Sequence, residues 1–119
     1  MERIQFIQHQ GKQILHLDFT HANADEVLQL IRDAKSVIAA QPAKSLRTLT
    51  DVTNMKFNTE AAEAMKTFAH HNKPYVTAAA VVGITGLKQI IYNAVVRFSG
   101  RNLVAFDSAA QAKDWLVNQ

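Results

Sequence analysis

The stretch Ser45 to Gly83, SLRTLTDVTNMKFNTEAAEAMKTFAHHNKPYVTAAAVVG, changes its hydrophobic period twice. SLRTLTDV has the short, β-favouring pattern of a strand. NTEAAEAMKTFAHHNKP then places Ala61, Ala62, Met65, Phe68 and Ala69 at helical spacing. Glu60 and Glu63 fall in its first turns and His70, His71 and Lys73 in its last, the arrangement that complements a helix dipole. YVTAAAVVG is a continuous run of small apolar residues, the pattern of a central strand covered on both faces. Strand, helix and strand in that order predict a parallel pair joined by a right-handed crossover.

Towards the amino terminus, ERIQFIQ puts Ile4 and Phe6 on one face, and KQILHLDF does the same with Leu15, Leu17 and Phe19. HQGK between them carries Gly11, so the two runs read as an antiparallel hairpin. HANADEVLQLIRDAKSVIAAQP switches to helical spacing through Val27, Leu28, Ile31, Ala34 and Ile38. Asn23 and Glu26 have capping-box spacing at its start, and Pro42 lies just past its end. Towards the carboxyl terminus a third helix follows Gly86, NLVAFD is a last strand, and SAAQAKDWLV is a closing helix. Ser108 and Gln111 cap that closing helix, and Trp115 and Leu116 are its expected buried residues. The predicted fold is α/β, with residues 1–119 as one domain in the order ββαβαβαβα. Its mixed five-stranded sheet begins with the antiparallel hairpin.

Bulk composition agrees with a globular domain, at 48% apolar and 19% charged residues. The absence of cysteine excludes disulfides, thiol catalysis and thiolate metal ligation. MERIQFIQHQGK lacks a signal-peptide core, and the longest apolar run is too short for a bilayer span, so a cytoplasmic protein without an integral membrane segment is expected. The net charge is +3, with Arg3, Lys12, Arg32, Lys35, Lys44 and Arg47 scattered and no interleaved aromatics, which argues against nucleic acid.

AVVGITGLKQII, Ala80 to Ile91, has the outline of a phosphate loop. A Walker loop needs four residues between its glycines and a Gly-Lys-Ser/Thr ending. Here two residues separate Gly83 from Gly86, Leu87 precedes Lys88, and Gln89 stands where the hydroxyl belongs. The spacing favours a strand–helix junction, with Gly83 ending the strand and Thr85 or Gly86 starting the helix. Downstream, Leu87, Ile90, Ile91, Ala94, Val95 and Phe98 form an apolar stripe able to cover the sheet. Tyr92 and Val96 lie off that stripe in line with Lys88. They fit either an outward contact surface or a helix flanked by neighbours on both sides.

His70 and His71 are adjacent and point about 100° apart, so they cannot share one metal ion in the i, i+4 manner. His9, His16 and His21 lie in or beside the hairpin with only Asp18 near, the pattern of surface or edge residues. No G-x-S-x-G elbow accompanies Ser36, Ser45, Ser99 or Ser108. Asp51 and Asp107 close strands, where carboxylates commonly start turns. No catalytic set, metal site or cofactor is expected.

LRTLTDVTNMKFNTEAAEAMKTF and AAAVVGITGLKQIIYNAVVRFSGRNLVAFDSAAQAKDWL together resemble the STAS superfamily. The similarity is to its SpoIIAA-like, anti-sigma-factor-antagonist branch, which is related to lipid-transfer CRAL–TRIO folds. In phosphorylated members an Asp-Ser-Ser-Gly sequence opens the helix and one serine is the switch. That segment falls here on Thr59, Glu60, Ala61 and Ala62, so the acceptor serine is absent and Thr59 is expected as an N-cap. The resemblance implies a non-catalytic regulatory or protein-interaction module, binding a protein partner or a second copy as a homodimer. Its expected surface combines Asp51, Asn54, Lys56 and Thr59 with Lys88, Tyr92 and Val96. The alternative is a domain for a small ligand, an acyl chain or a nucleotide, using Gly83, Thr85, Gly86 and Lys88.

Overall fold

A computed structural model describes residues 2–86 and 88–119. The elements are β1 (Ile4–His9), β2 (Lys12–Asp18), α1 (Ala24–Ala39), β3 (Leu46–Asp51), α2 (Thr59–Asn72), β4 (Val76–Val82), α3 (Lys88–Ser99), β5 (Leu103–Phe106) and α4 (Ala109–Val117). The order ββαβαβαβα expected from the sequence is the order observed. The five strands lie side by side as β1-β2-β3-β4-β5, with β1 antiparallel to β2 and every later pairing parallel. Gln10 and Gly11 both take positive φ between β1 and β2, the backbone that a two-residue hairpin turn requires.

This monotonic order decides the layering. Each right-handed crossover moves the chain one strand in the same direction, so α1, α2 and α3 all land on one face. Leu15, Leu17, Val27, Ile31, Phe68 and Val81 belong to the core on that side. Among the described residues α4 is the helix that covers the opposite face, where Leu116 and Ala112 pack against Ile14, Leu49, Ala80 and Val82. Ala78 and Ala80 on β4 keep this layer thin, so a nine-residue helix can bury the sheet centre. Trp115 is half-buried and tilts against Phe106 with ring centroids 5.5 Å apart.

The caps follow the sequence. The Asn23 side chain accepts from Glu26 N at 2.9 Å while the Glu26 carboxylate accepts from Asn23 N at 3.0 Å, a complete capping box for α1. Ser108 Oγ accepts from Gln111 N at 3.2 Å to start α4. On α2 the N-cap is Asn58, whose Oδ1 accepts from Ala61 N at 2.8 Å. Thr59 is therefore not the cap: it is the exposed first residue of the helix. On α1, Leu30 takes a buried place and Leu28 is only half-buried.

The helix that departs most from expectation is α3. Ile90 is 66% and Phe98 57% exposed, while Val95 and Ser99 are buried and Tyr92 packs against the core. At about 100° per residue, Lys88, Tyr92, Val95 and Ser99 fall within one inward arc, and Ile90 and Phe98 fall outside it. The expected stripe is thus rotated, and its Leu87 lies outside the described residues. Tyr92 fixes the rotation, because its ring fills the core edge while its hydroxyl donates to the Leu103 carbonyl on edge strand β5.

Candidate functional site

The carboxyl ends of β3 and β4 carry the two connections that the sequence singled out, 52–58 and 83–87, at the end of a parallel sheet where ligands commonly bind. The strand end that leads into the first of them is tightly specified. Asp51 Oδ1 accepts from Thr53 N at 3.0 Å and from Thr53 Oγ1 at 2.7 Å. On the neighbouring strand, Asp18 Oδ1 accepts from Thr20 N at 2.9 Å and Thr20 Oγ1 at 2.6 Å. Asp18 and Asp51 are register partners, so D-x-T is a repeated strand ending. The ladder continues past it through Phe19 N to Asp51 O and Val52 N to Val82 O, both at 2.9 Å. Burial by itself would raise the Asp18 carboxyl, but the Thr20 hydrogen bonds, His16 and Arg3 leave it lowered from its ordinary value. These carboxylates are committed to turns.

Gly83 lies directly against that turn. A Cβ on Gly83 would sit 2.6 Å from Thr53 N and 2.8 Å from Thr53 Cα, and its φ of +94° disfavours a side chain as well. Its role is close approach of two chains. Lys88 Nζ reaches back to the Gly83 carbonyl at 3.5 Å, a long contact. Lys88 N donates to Thr85 O and Gln89 N to Gly86 O, so two of the amides at the start of α3 are used within the turn. Gly83, Thr85, Gly86 and Lys88 thus lie together at the strand–helix junction, with the Lys88 ammonium held only by that long contact.

Beneath the two connections is a small apolar cavity of about 60 Å³. Met55, Phe57, Met65, Ile84, Ile91 and Tyr92 are among its walls, and Lys88 is the one charged residue lining it among the described residues. Tyr92 thus faces inward, and burial raises its phenol pKa. Val96 is half-buried on the flank of α3. Asn54 and Lys56 are exposed, with Asn54 in the left-handed region at φ +57° and Lys56 N donating to Ala22 O at 2.8 Å. The structure brings the 52–58 connection and the start of α3 together, but places Tyr92 on the inner side.

Ile90, Ala94 and Phe98 recur at i, i+4 and i+8 and make the outward apolar line instead. Phe98 closes the seam with α2, where Lys66 Nζ lies 5.6 Å from its ring centroid and the His70 ring stands edge-on at 6.1 Å. The sequence contained the signal, because α3 carries apolar residues around most of its circumference and one line of them had to remain outside. Nothing local said which line.

Among the described residues no three His, Asp or Glu side chains gather as a metal site. His9 pairs with Asp114 on α4 at 2.8 Å, and His71 Nδ1 meets Asn72 Oδ1 at 2.9 Å while stacking on Tyr75. No described helix is long and apolar enough to cross a membrane.

No protein-family model matches the chain, and no curated protein does. Among solved structures, it is similar to an uncharacterised protein of the DUF3478 family from Shewanella loihica PV-4, which has a SpoIIAA-like fold. The TM-score is 0.72 at 17% identity, over 95% of this chain and 91% of the other. The chain has a SpoIIAA-like fold. Within this SpoIIAA-like fold, α2 opens with Thr59, Glu60 and Ala61 behind an asparagine cap, and the helix start carries no serine.

Proposed function

We propose that this SpoIIAA-like domain is a non-catalytic regulatory or protein-interaction module. It binds a protein partner or a second copy through the outward line of α3 and the adjoining 52–58 connection. The observation that carries this reading is the exposure of Ile90 and Phe98 on one line of one helix, with Asn54 and Lys56 exposed on the connection that meets the start of that helix. Scattered single apolar residues need no explanation, whereas an aligned pair with Ala94 between them offers a helix face for burial against another surface. The commitment of Asp18 and Asp51 to turns supports a non-enzymatic role. The test is Ile90→Glu with Phe98→Glu, measured by light scattering after size exclusion and by capture of a defined partner. Unchanged mass and unchanged capture would sink the assignment.

A second reading rests on the cavity below α3. Apolar walls with one ammonium at Lys88 suit an acyl chain ending in an anion. Its volume of about 60 Å³ is well below the ~150 Å³ that admits benzene in a dry protein cavity, so this ligand requires α3 to move outward. Thermal-shift titration with fatty acids of increasing length tests it, and no stabilisation at any length removes it.

A further inference from the structure

The other end of the sheet holds a different arrangement. The connections entering β3, β4 and β5 each carry a cation shortly before the strand begins, at Lys44, Lys73 and Arg101. Parallel strands in neighbouring positions bring these three connections to one edge, though they are far apart in sequence. They line a cavity of about 180 Å³ together with Thr77, Gly100 and Asn102, and no acidic residue lines it among the described residues. β4 begins at Val76, but its pairing with β5 starts only at Ala79 opposite Leu103, so the cavity occupies a notch where β5 has not yet covered β4.

The cations are held in place by backbone. Lys44 sits in the left-handed region at φ +55°, with its N–H donating to Pro74 O at 3.0 Å, which ties it to the residue after Lys73. Gly100 ends α3 at φ +67°, and a Cβ there would lie 3.2 Å from Lys73 Nζ, so the ammonium lies across the glycine. Arg101 is the decisive group. It is half-buried, and Nη1 donates to Ala69 O at 3.4 Å, the guanidinium's one hydrogen bond among the described residues. Neither it nor Lys44 or Lys73 pairs with a carboxylate among the described residues. Burial lowers Arg101 to about 10, which leaves it charged at neutral pH and short of a counter-charge. A guanidinium presents five donors in a planar fork matched to oxyanions, and most of these have no protein partner among the described residues, while Arg101 lies between the notch and a second, apolar cavity beneath α2.

We propose that this notch is an anion site for a phosphate group, with Arg101 as the half-buried fork and Lys73 and Lys44 as the two exposed clamps. Three positive charges around one cavity favour a dianion over a single carboxylate. The space exceeds the ~30 Å³ share of a water molecule severalfold, enough for a phosphate with a substituent attached. The inference rests on the notch and does not depend on the reading of the outward line of α3.

The test is an amide-detected NMR titration with inorganic phosphate at constant ionic strength, with acetate as the carboxylate control. Saturable shifts are expected at Lys73, Gly100, Arg101 and Asn102. Lys73→Gln and Lys44→Gln should each weaken binding about tenfold or more, as for loss of one charge-assisted hydrogen bond. Lys12→Gln, at the hairpin turn, should leave the affinity unchanged. Arg101→Gln should abolish binding, and the two exposed lysines keep the test informative if that variant folds poorly. Adenosine monophosphate and dihexanoyl phosphatidic acid distinguish the source: tighter binding of one assigns a nucleotide or a lipid headgroup, and parity with phosphate assigns the free ion. The proposal is overturned by no saturation below about 10 mM, by acetate matching phosphate, or by wild-type affinity in both lysine variants.

Discussion

Replacing Gly83 with alanine separates a packing glycine from a ligand-loop glycine. An L-residue in a left-handed conformation costs about 1–2 kcal/mol, and Gly83 has φ +94°. The added Cβ would also lie 2.5 Å from Thr53 Oγ1, 2.6 Å from Thr53 N and 2.8 Å from Thr53 Cα. Thr53 has little room to yield, because Asp51 holds both its N–H and its hydroxyl and His21 N donates to its carbonyl at 3.0 Å. Overpacking against a fixed neighbour adds about 1–3 kcal/mol, and the stiffer unfolded chain returns about 0.4–1 kcal/mol. The expected net loss is about 2–4 kcal/mol. Gly86 is the internal control, with φ +57° but no atom within 4 Å of a built Cβ, so Gly86→Ala should cost only about 1 kcal/mol. Urea unfolding followed by circular dichroism reads both, and at a slope of about 1–3 kcal/mol per molar the Gly83 midpoint should fall by about 1–4 M. Truncating Thr53 to alanine should recover only part of the loss, since two of the three contacts are to backbone. Equal midpoints for Gly83→Ala and Gly86→Ala would refute the close-approach account and return Gly83 to the list of ligand residues.

Asn58→Ala should destabilise the protein by about 1 kcal/mol through loss of the α2 cap, while Thr59→Ala should change stability by less than about 0.5 kcal/mol. The reverse ranking in thermal unfolding would restore Thr59 as the cap. Asp18 has its folded carboxyl lowered from 3.8, so its contribution is fully present above about pH 4 and is lost as the pH falls through the folded value. Wild type should therefore lose more stability than Asp18→Asn on acidification below about pH 4, and parallel melting curves across that window would contradict this. Tyr92→Glu should cost about 3 kcal/mol or more by burying a charge at the core edge, whereas Ile90→Glu should stay within about 0.5 kcal/mol of wild type. Similar unfolding midpoints for the two would mean that α3 is oriented the other way.

Most local rules were legible in the sequence, although the α2 cap falls on Asn58 and not on Thr59. Asn23 with Glu26 marked the first helix, Ser108 marked the last, Gly11 marked the hairpin, and the all-apolar run 78–82 marked a strand covered on both faces. These depend on residues within a few positions of each other, so a linear reading captures them, and together they specify the βα order and the SpoIIAA-like fold. The rotation of α3 was not legible. Ile90 and Tyr92 are both suited to burial, and the choice between them is made by the Leu103 carbonyl, which a later strand brings alongside. Gly83 could be recognised as a turn residue, but its reason is Thr53, a neighbour placed by the pairing of β3 with β4. Along the chain Lys44 is one scattered cation and Lys73 a helix-end cation, and nothing in the linear order joins either to Arg101. Only the side-by-side order of three parallel strands sets them around one cavity, because parallel pairing gathers the entrances of successive strands at a single edge.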